Sequence, residues 1–417
     1  MELVLASNFD NALVEGIEGL PVTSLFGNYP VSLTGGGRPP QILPQITPEQ
    51  FREHVNAVHR SGRTFYATIN SNDLDLQEYT PGFLYRFDRE VDDLLDLGVD
   101  GFVVALPLLV EAIKRAHPSV PVSVSTFARI RSVTQAEYFQ RMGADTVVIE
   151  ESNRDFDLLK GLVALGLRVE VLVNQTCIPD CPYRAHHLAT SSLASQYGRD
   201  APSFEYPILE CGLELVRDPT KLISGIFVRP EDLEVYEEVG VRRFKVSGRN
   251  HATDWLLRAA RAYAARHYEG DLMDILSYVQ VRGPRRALEA AERRGESIDG
   301  ITEMRAAFAP LVDLHIDNDA FPLGFLRKVA STDCRNTTCT ECRYCAGVAE
   351  KVMRINGKPP SEYVAPRSLP AASQMLPAFA PRGEPWSPPT RPGPAGPRPP
   401  RHAKAPPRAR RAPARRG

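Results

Sequence analysis

Three stretches of this chain repeat one local grammar: a helix-periodic run, a glycine, then a short aliphatic burst. They read "DDLLDLGVDGFVVAL", "YFQRMGADTVVIEE" and "YEEVGVRRFKVSG". Gly98, Gly143 and Gly240 stand where a helix ends and the backbone must turn left-handed, a conformation glycine enters without steric cost. The bursts that follow have the unbroken hydrophobicity of strands covered on both faces, as in a parallel sheet flanked by helices. Further strand candidates are "ELVLAS", "VTSLFGN", "TFYATIN", "VSVST" and "VEVLVN", with helical runs such as "TPEQFREHVNAVHRSG" between them. About eight strand–helix units thus precede residue 265. The pattern predicts an α/β fold in which residues 1–265 form a (β/α)8 TIM-barrel-like domain. An open doubly wound sheet is the alternative, although no glycine-rich dinucleotide or P-loop fingerprint follows the first strand.

Beyond that point the character changes. Residues 266–360 contain the charged run "RALEAAERRGESIDGITEMRAAFAPL" and the compact "DCRNTTCTECRYC", which predict a mostly helical, cysteine-rich appendage closing over the barrel. Residues 361–417 form a basic Pro/Arg-rich tail. From Pro366 onward it holds ten Arg, one Lys, one Glu and fifteen of the 36 prolines, with too few aliphatic residues to offset ordering entropy, so it reads as disordered. Its net charge of +10 leaves −11 on residues 1–365, hidden behind a whole-chain balance of −1. An acidic body is poorly suited to a phosphate backbone, so contact with nucleic acid is expected only through the tail. The N-terminus lacks a basic region followed by an apolar run, and no stretch has the eighteen apolar residues of a membrane span. The expectation is a soluble, cytoplasmic protein.

In a reducing compartment cysteines serve as thiols or metal ligands rather than disulfides. The seven here, at 177, 181, 211, 334, 339, 342 and 345, all fall in the later part of the chain. The last four read C-x4-C-x2-C-x2-C, a spacing that lets one tight loop aim several thiolates at an iron–sulfur cluster, with a zinc site as the alternative. Cys177 and Cys181 lie in "VLVNQTCIPDCPYRAHH", where Pro179 and Pro182 oppose a helix and leave both on a loop beyond a strand end. Cys211 is open between a ligand and a small buried hydrophobe. His186 and His187 read as surface residues capping the next helix. Strand ends at a barrel mouth are where chemistry collects, which selects Asn70, Thr126, Glu150, Asn174, Lys245 and Arg249. Lys245 and Arg249 either hold an anionic substrate or pair with Glu150 and Glu151. Nothing resembles a Ser–His–Asp series.

The order of these elements resembles peptidase family U32, the collagenase-like peptidases. The resemblance rests on "VSVSTFARIRSVTQAEYFQRMGADTVVIEES", "VEVLVNQTCIPDC", the later cysteine of "ILECGLEL", and "ISGIFVRPEDLEVYEEVGVRRFKVSGR", and covers roughly residues 1–265. Departures exist. Asn174-Gln175 replace the family's His-Gly pair, Lys245-Val246-Ser247-Gly248-Arg249 lacks the family's Glu, and Glu234 stands where some members have a further cysteine.

The resemblance implies a barrel holding a [4Fe–4S] cluster and oxygen-independent hydroxylation, which relatives perform on ubiquinone precursors or RNA bases, some drawing oxygen from prephenate. Carried onto this chain, Cys177, Cys181 and Cys211 would bind a cluster, with Cys334 or a non-protein group as fourth ligand. Cys339, Cys342 and Cys345 would bind a second cluster or share Cys334. Glu150, Asn174, Lys245 and Arg249 are the catalytic candidates. A small molecule or peptide is the expected substrate, with an electron donor or partner subunit beside it. The rival readings are a metal-dependent peptidase and a non-catalytic protein in which a metal site only holds the appendage in place.

Overall fold

The computed structural model describes residues 1–30, 32–196, 206–278, 308–309, 313–367 and 369. Eight parallel strands close into a barrel in chain order: β1 (Glu2–Ala6), β2 (Val22–Gly27), β3 (Thr64–Ile69), β4 (Gly101–Val104), β5 (Val122–Val124), β6 (Thr146–Ile149), β7 (Arg168–Leu172) and β8 (Arg243–Val246). Closure is direct, since β8 pairs with β1 through Leu3 opposite Phe244 and Leu5 opposite Val246. All eight expected strands are present, and the open-sheet alternative is excluded.

The helices between them are α1 (Asn11–Gly16), α2 (Pro48–Arg60), α3 (Phe83–Asp96), α4 (Pro107–Ala116), α5 (Val133–Arg141) and α6 (Phe156–Ala164). Beyond β7 come α7 (Arg184–Gln196), α8 (Tyr206–Arg217) and α9 (Leu233–Glu238), and α10 (Thr253–Ala265) follows β8. Their starts are written in the sequence. Thr47 and Gln50 form a reciprocal capping box with Pro48 in the first turn of α2, and Ser132 and Asp155 each accept a backbone N–H at the head of α5 and α6. Gly98, Gly143 and Gly240 adopt φ of 96°, 99° and 93° just past α3, α5 and α9, the left-handed turn that sends the chain back toward the barrel. β4 and β6 are buried along their whole length, as strands between a filled barrel and a helical layer must be.

Two features position the mouth. α7 lies across it, because Ser192 Oγ accepts from the Asn72 backbone N–H at 2.9 Å and Ser195 Oγ reaches Ser71 Oγ at 3.2 Å. Residues 313–367 return to the barrel and add a small antiparallel sheet, Leu314–Ile316 with Met353–Ile355, that the sequence pattern did not announce. Leu314, Ile316, Phe325, Val348 and Val352 join the same apolar core as the barrel helices. The expected helix in 286–311 falls almost wholly outside the described residues, as does the tail beyond 369. Among the described residues no helix is long and apolar enough to cross a membrane.

Candidate active site and thiol centres

The barrel mouth holds a cavity of about 110 Å³, several times what one water needs. Asn70, Thr126, Glu150, Lys245 and Arg249 line it, as expected from their strand-end positions. Asn174 does not. Its side chain is fully buried and clamps β7 to β8, donating to Ser247 O at 2.9 Å and accepting from the Ser247 N–H at 2.8 Å.

The ion pairs differ from those the sequence suggested. Lys245 bonds Glu170 at 2.8 Å rather than Glu150, and its ammonium lies 3.9 Å above the Phe26 ring. Burial pushes the Lys245 pKa down, against the attraction of Glu170. Among the described residues Arg249 pairs with no acid; it donates to Thr68 Oγ1 at 2.9 Å, to Gly36 O and to Asn28 Oδ1. Burial, with repulsion from Arg38, lowers it to about 9. Glu151 is held by Arg129 at 3.0 Å and by Arg131 at 3.4 Å. Glu150 bonds Arg184, a residue that the sequence reading passed over.

Arg184 is the organiser of one wall. It begins α7 two residues after Pro182, is 7% exposed, and reaches Cys177 Sγ at 3.3 Å with one nitrogen while holding Glu150 with another. Burial opposes its charge, but Glu150 and Cys177 outweigh that and raise its pKa. Cys177 Sγ is also 3.9 Å from Glu150 Oε1. Its burial pushes the thiol up to about 11, with Arg184 pulling the other way. Cys181 and Cys211 hydrogen-bond one another. That bond, more than the opposing effect of burial, lowers Cys181 to about 7 and raises Cys211. The three cysteines therefore share one pocket wall although they come from the loop after β7 and from α8. Cys211 is 9% exposed, buried as a small hydrophobe would be.

His186 is exposed on α7, as expected, whereas its neighbour His187 lines the pocket. Burial first, then Arg184 and Arg38, lowers His187 to about 3, so it stays neutral. Arg38, on the loop after β2, completes the cationic lining. The signal for Arg184 and His187 was present as helix spacing, since residues three apart share a face once α7 begins at 184.

The other four cysteines form a separate group. Cys334 is influenced, after burial, by Cys342, Arg154 and Cys339; Cys345 by Arg154, Cys339, Cys334 and Cys342. Cys334 is not among the residues that line the pocket with Cys177, Cys181 and Cys211. Nor is Glu234, which is on the outer face against Arg327. Among the described residues no three His, Cys, Asp or Glu side chains are gathered closely enough to hold a single ion. Three thiols on one wall do suit a cubane cluster, whose cysteines each ligate a different iron.

Comparison with known proteins matches residues 43–173 to the model of peptidase family U32. The match ends four residues before Cys177. An uncharacterized protease MJ1657 of Methanocaldococcus jannaschii is 25% identical over 324 residues, covering 77% of this chain and 86% of that protein. The tRNA hydroxylation protein P of Helicobacter pylori is 26% identical over 130 residues, 30% of this chain and 29% of that protein. The solved structure of the U32 peptidase Mk0906 covers 60% of this chain and 93% of its own at 19% identity and a TM-score of 0.44. Over residues 43–173 the chain is thus similar to peptidase family U32.

Proposed function

We propose that this protein is an iron–sulfur enzyme that hydroxylates, or otherwise modifies by redox chemistry, an anionic small molecule or peptide without using molecular oxygen. The observation that carries the reading is the convergence of Cys177, Cys181 and Cys211 on one wall of a cation-lined barrel mouth. The hydroxylation named for the Helicobacter relative supports the same class of chemistry. These three thiols would hold a [4Fe–4S] cluster, with the fourth position filled by a non-protein group. When bound, the cluster supplies one-electron chemistry and an iron site that no cysteine covers.

The chain's own residues do the rest. Arg184 donates to Cys177 Sγ, which stabilises the thiolate form that a metal requires and sets the electron richness of that ligand. Glu150, tied to the same guanidinium, keeps the pair close to neutral inside the protein. Arg249, whose hydrogen-bond partners are neutral oxygens, and Arg38 present positive charge to the cavity and would orient a carboxylate or phosphate group of the substrate. Phe26 and Phe127 offer apolar surface beside them. α7, seated across the mouth, limits the entry of water.

The test is iron, sulfide and zinc content of protein purified without oxygen, followed by incubation with a reductant and pools of small molecules and peptides. Products are scored by mass for one added oxygen atom. Cys177→Ala with Cys211→Ala is expected to remove about four irons per chain and all turnover. Unchanged iron in that variant would end the reading. A metal-dependent peptidase is the second reading, favoured by the name of the Methanocaldococcus relative. Its mark is peptide cleavage without reductant, lost on chelation.

A further inference from the structure

The C-terminal cysteine run is built unlike a packed structural element. Cysteine is among the residues most often buried, yet Cys334, Cys339 and Cys342 are exposed and Cys345 is half-buried. Their backbone is nonetheless set in detail. Thr338 and Glu341 form a capping box around the single turn Cys339–Cys342. Arg343 then adopts a left-handed φ of 52°, which ends that turn and starts the helix Tyr344–Val352. That helix is anchored by Val348, Ala349 and Val352 in the core. An exposed, capped turn carrying two of four thiols spaced C-x4-C-x2-C-x2-C suggests a bound centre.

A second observation points the same way. The Arg154 guanidinium lies 5.9 Å over the Phe325 ring, which stacks on Tyr344 next to Cys345, and the adjacent Asp155 bonds Arg335 next to Cys334. The Arg154 side chain is braced by bonds to Ser224 O at 3.0 Å and Phe227 O at 3.2 Å, yet its buried Nε has no hydrogen-bond partner among the described residues. A cysteine-ligated iron–sulfur cluster is a net anion whose sulfurs accept hydrogen bonds, and a cation with a spare N–H meets both needs.

The same residue connects the two thiol groups. Arg154 is four positions after Glu150 on the loop following β6, and Glu150 shares Arg184 with Cys177. From the other side, the Ile226 N–H donates to Cys177 O at 3.1 Å, and the neighbouring Phe227 ring lies 5.8 Å beneath the Arg154 guanidinium.

We propose that Cys334, Cys339, Cys342 and Cys345 hold a [4Fe–4S] cluster of their own at the surface, through which electrons enter toward the mouth pocket. A one-electron donor, dithionite in vitro, reduces the cluster by one electron. The proposed centre at Cys177, Cys181 and Cys211 would accept that electron and be reduced by one as the surface centre returns to its oxidised level, with no bond made or broken. The site itself is independent of the pocket reading; its relay role rests on it.

Electron paramagnetic resonance and metal analysis of the full chain, purified without oxygen, test both parts. Wild type is expected to carry about eight irons and eight sulfides, and Cys339→Ala with Cys342→Ala about four. Cys177→Ala with Cys211→Ala leaves the surface loop untouched and retains about four. Arg154→Gln moves the midpoint potential of the surface signal to more negative values, because a lost cation disfavours the reduced, more anionic cluster. The fully reduced wild type shows spin coupling between two centres that either double variant abolishes. Loss of zinc instead of iron from the Cys339→Ala/Cys342→Ala protein, or no iron left in the pocket variant, overturns the surface cluster. Uncoupled signals overturn the relay alone. Failure of the pocket reading has its own signature: about four irons in wild type, all lost with Cys339 and Cys342.

Discussion

Arg184 and Glu150 are a buried ion pair, 7% and 6% exposed, and such a pair is costly to break from one side. Arg184→Met is expected to lose about 3–5 kcal/mol of stability in urea denaturation, because it strands the Glu150 carboxylate away from water. Adding Glu150→Gln recovers most of that loss. A double variant as unstable as the single one would mean that Arg184 acts through packing instead. Asn174 belongs to a different class from its neighbours. Its bonds to Ser247 are structural, so Asn174→Ala should cost about 1–3 kcal/mol by leaving a buried N–H unpaired, with iron content unchanged. Reading strand ends found the pocket at five of six positions, yet it could not separate Asn174 from the rest. Whether a strand-end side chain points into the mouth or laces two strands together depends on the neighbouring strand, which sequence does not supply.

At the scale of elements, the glycine turns were legible because their cause is local. Gly240 ends α9 at φ 93°, and a Cβ there would meet Val163 Cγ1 at 2.9 Å. Gly240→Ala is expected to destabilise the barrel by about 1–2 kcal/mol, seen as a lower melting temperature. The loop after β7 was also legible, since Pro179 and Pro182 deny it a helix. The position of α7 was not. It is held by Ser192 and Ser195 against residues 120 and 124 positions away, and polar contacts at that separation leave no periodic trace.

For the molecule as a whole, two buried groups outside the mouth set opposing pH dependences. His54, bonded to Ser7 and Asn11, is lowered by burial to about 4. Its folded pKa lies below the unfolded value, so its contribution is intact above about 6.5 and is lost as pH falls toward 4. Glu90 is raised by burial to about 7, so its contribution is intact below about 4.5 and is lost as pH rises toward 7. Between about pH 4.5 and 6.5 the two slopes, each at most about 1.4 kcal/mol per pH unit, cancel. His54→Gln should therefore unmask a stability that falls with rising pH across that window, and Glu90→Gln one that rises. Denaturation midpoints at several pH values check this, and parallel profiles for the two variants would refute it.

The sequence alone determined the repeating α/β units, the capped helix starts, the left-handed glycines and the grouping of four cysteines in one short run, because each is decided within a few residues by backbone sterics and local hydrogen bonding. Tertiary structure decided the rest. Closure of β8 onto β1 made a barrel of those units. Folding of α8 over the mouth brought Cys211 to Cys181, thirty residues away in sequence. The return of residues 313–367 brought Arg335, next to Cys334, to Asp155, next to Arg154. These are long-range placements, set by where apolar surface and charge find partners in the assembled fold, and no local pattern encodes them.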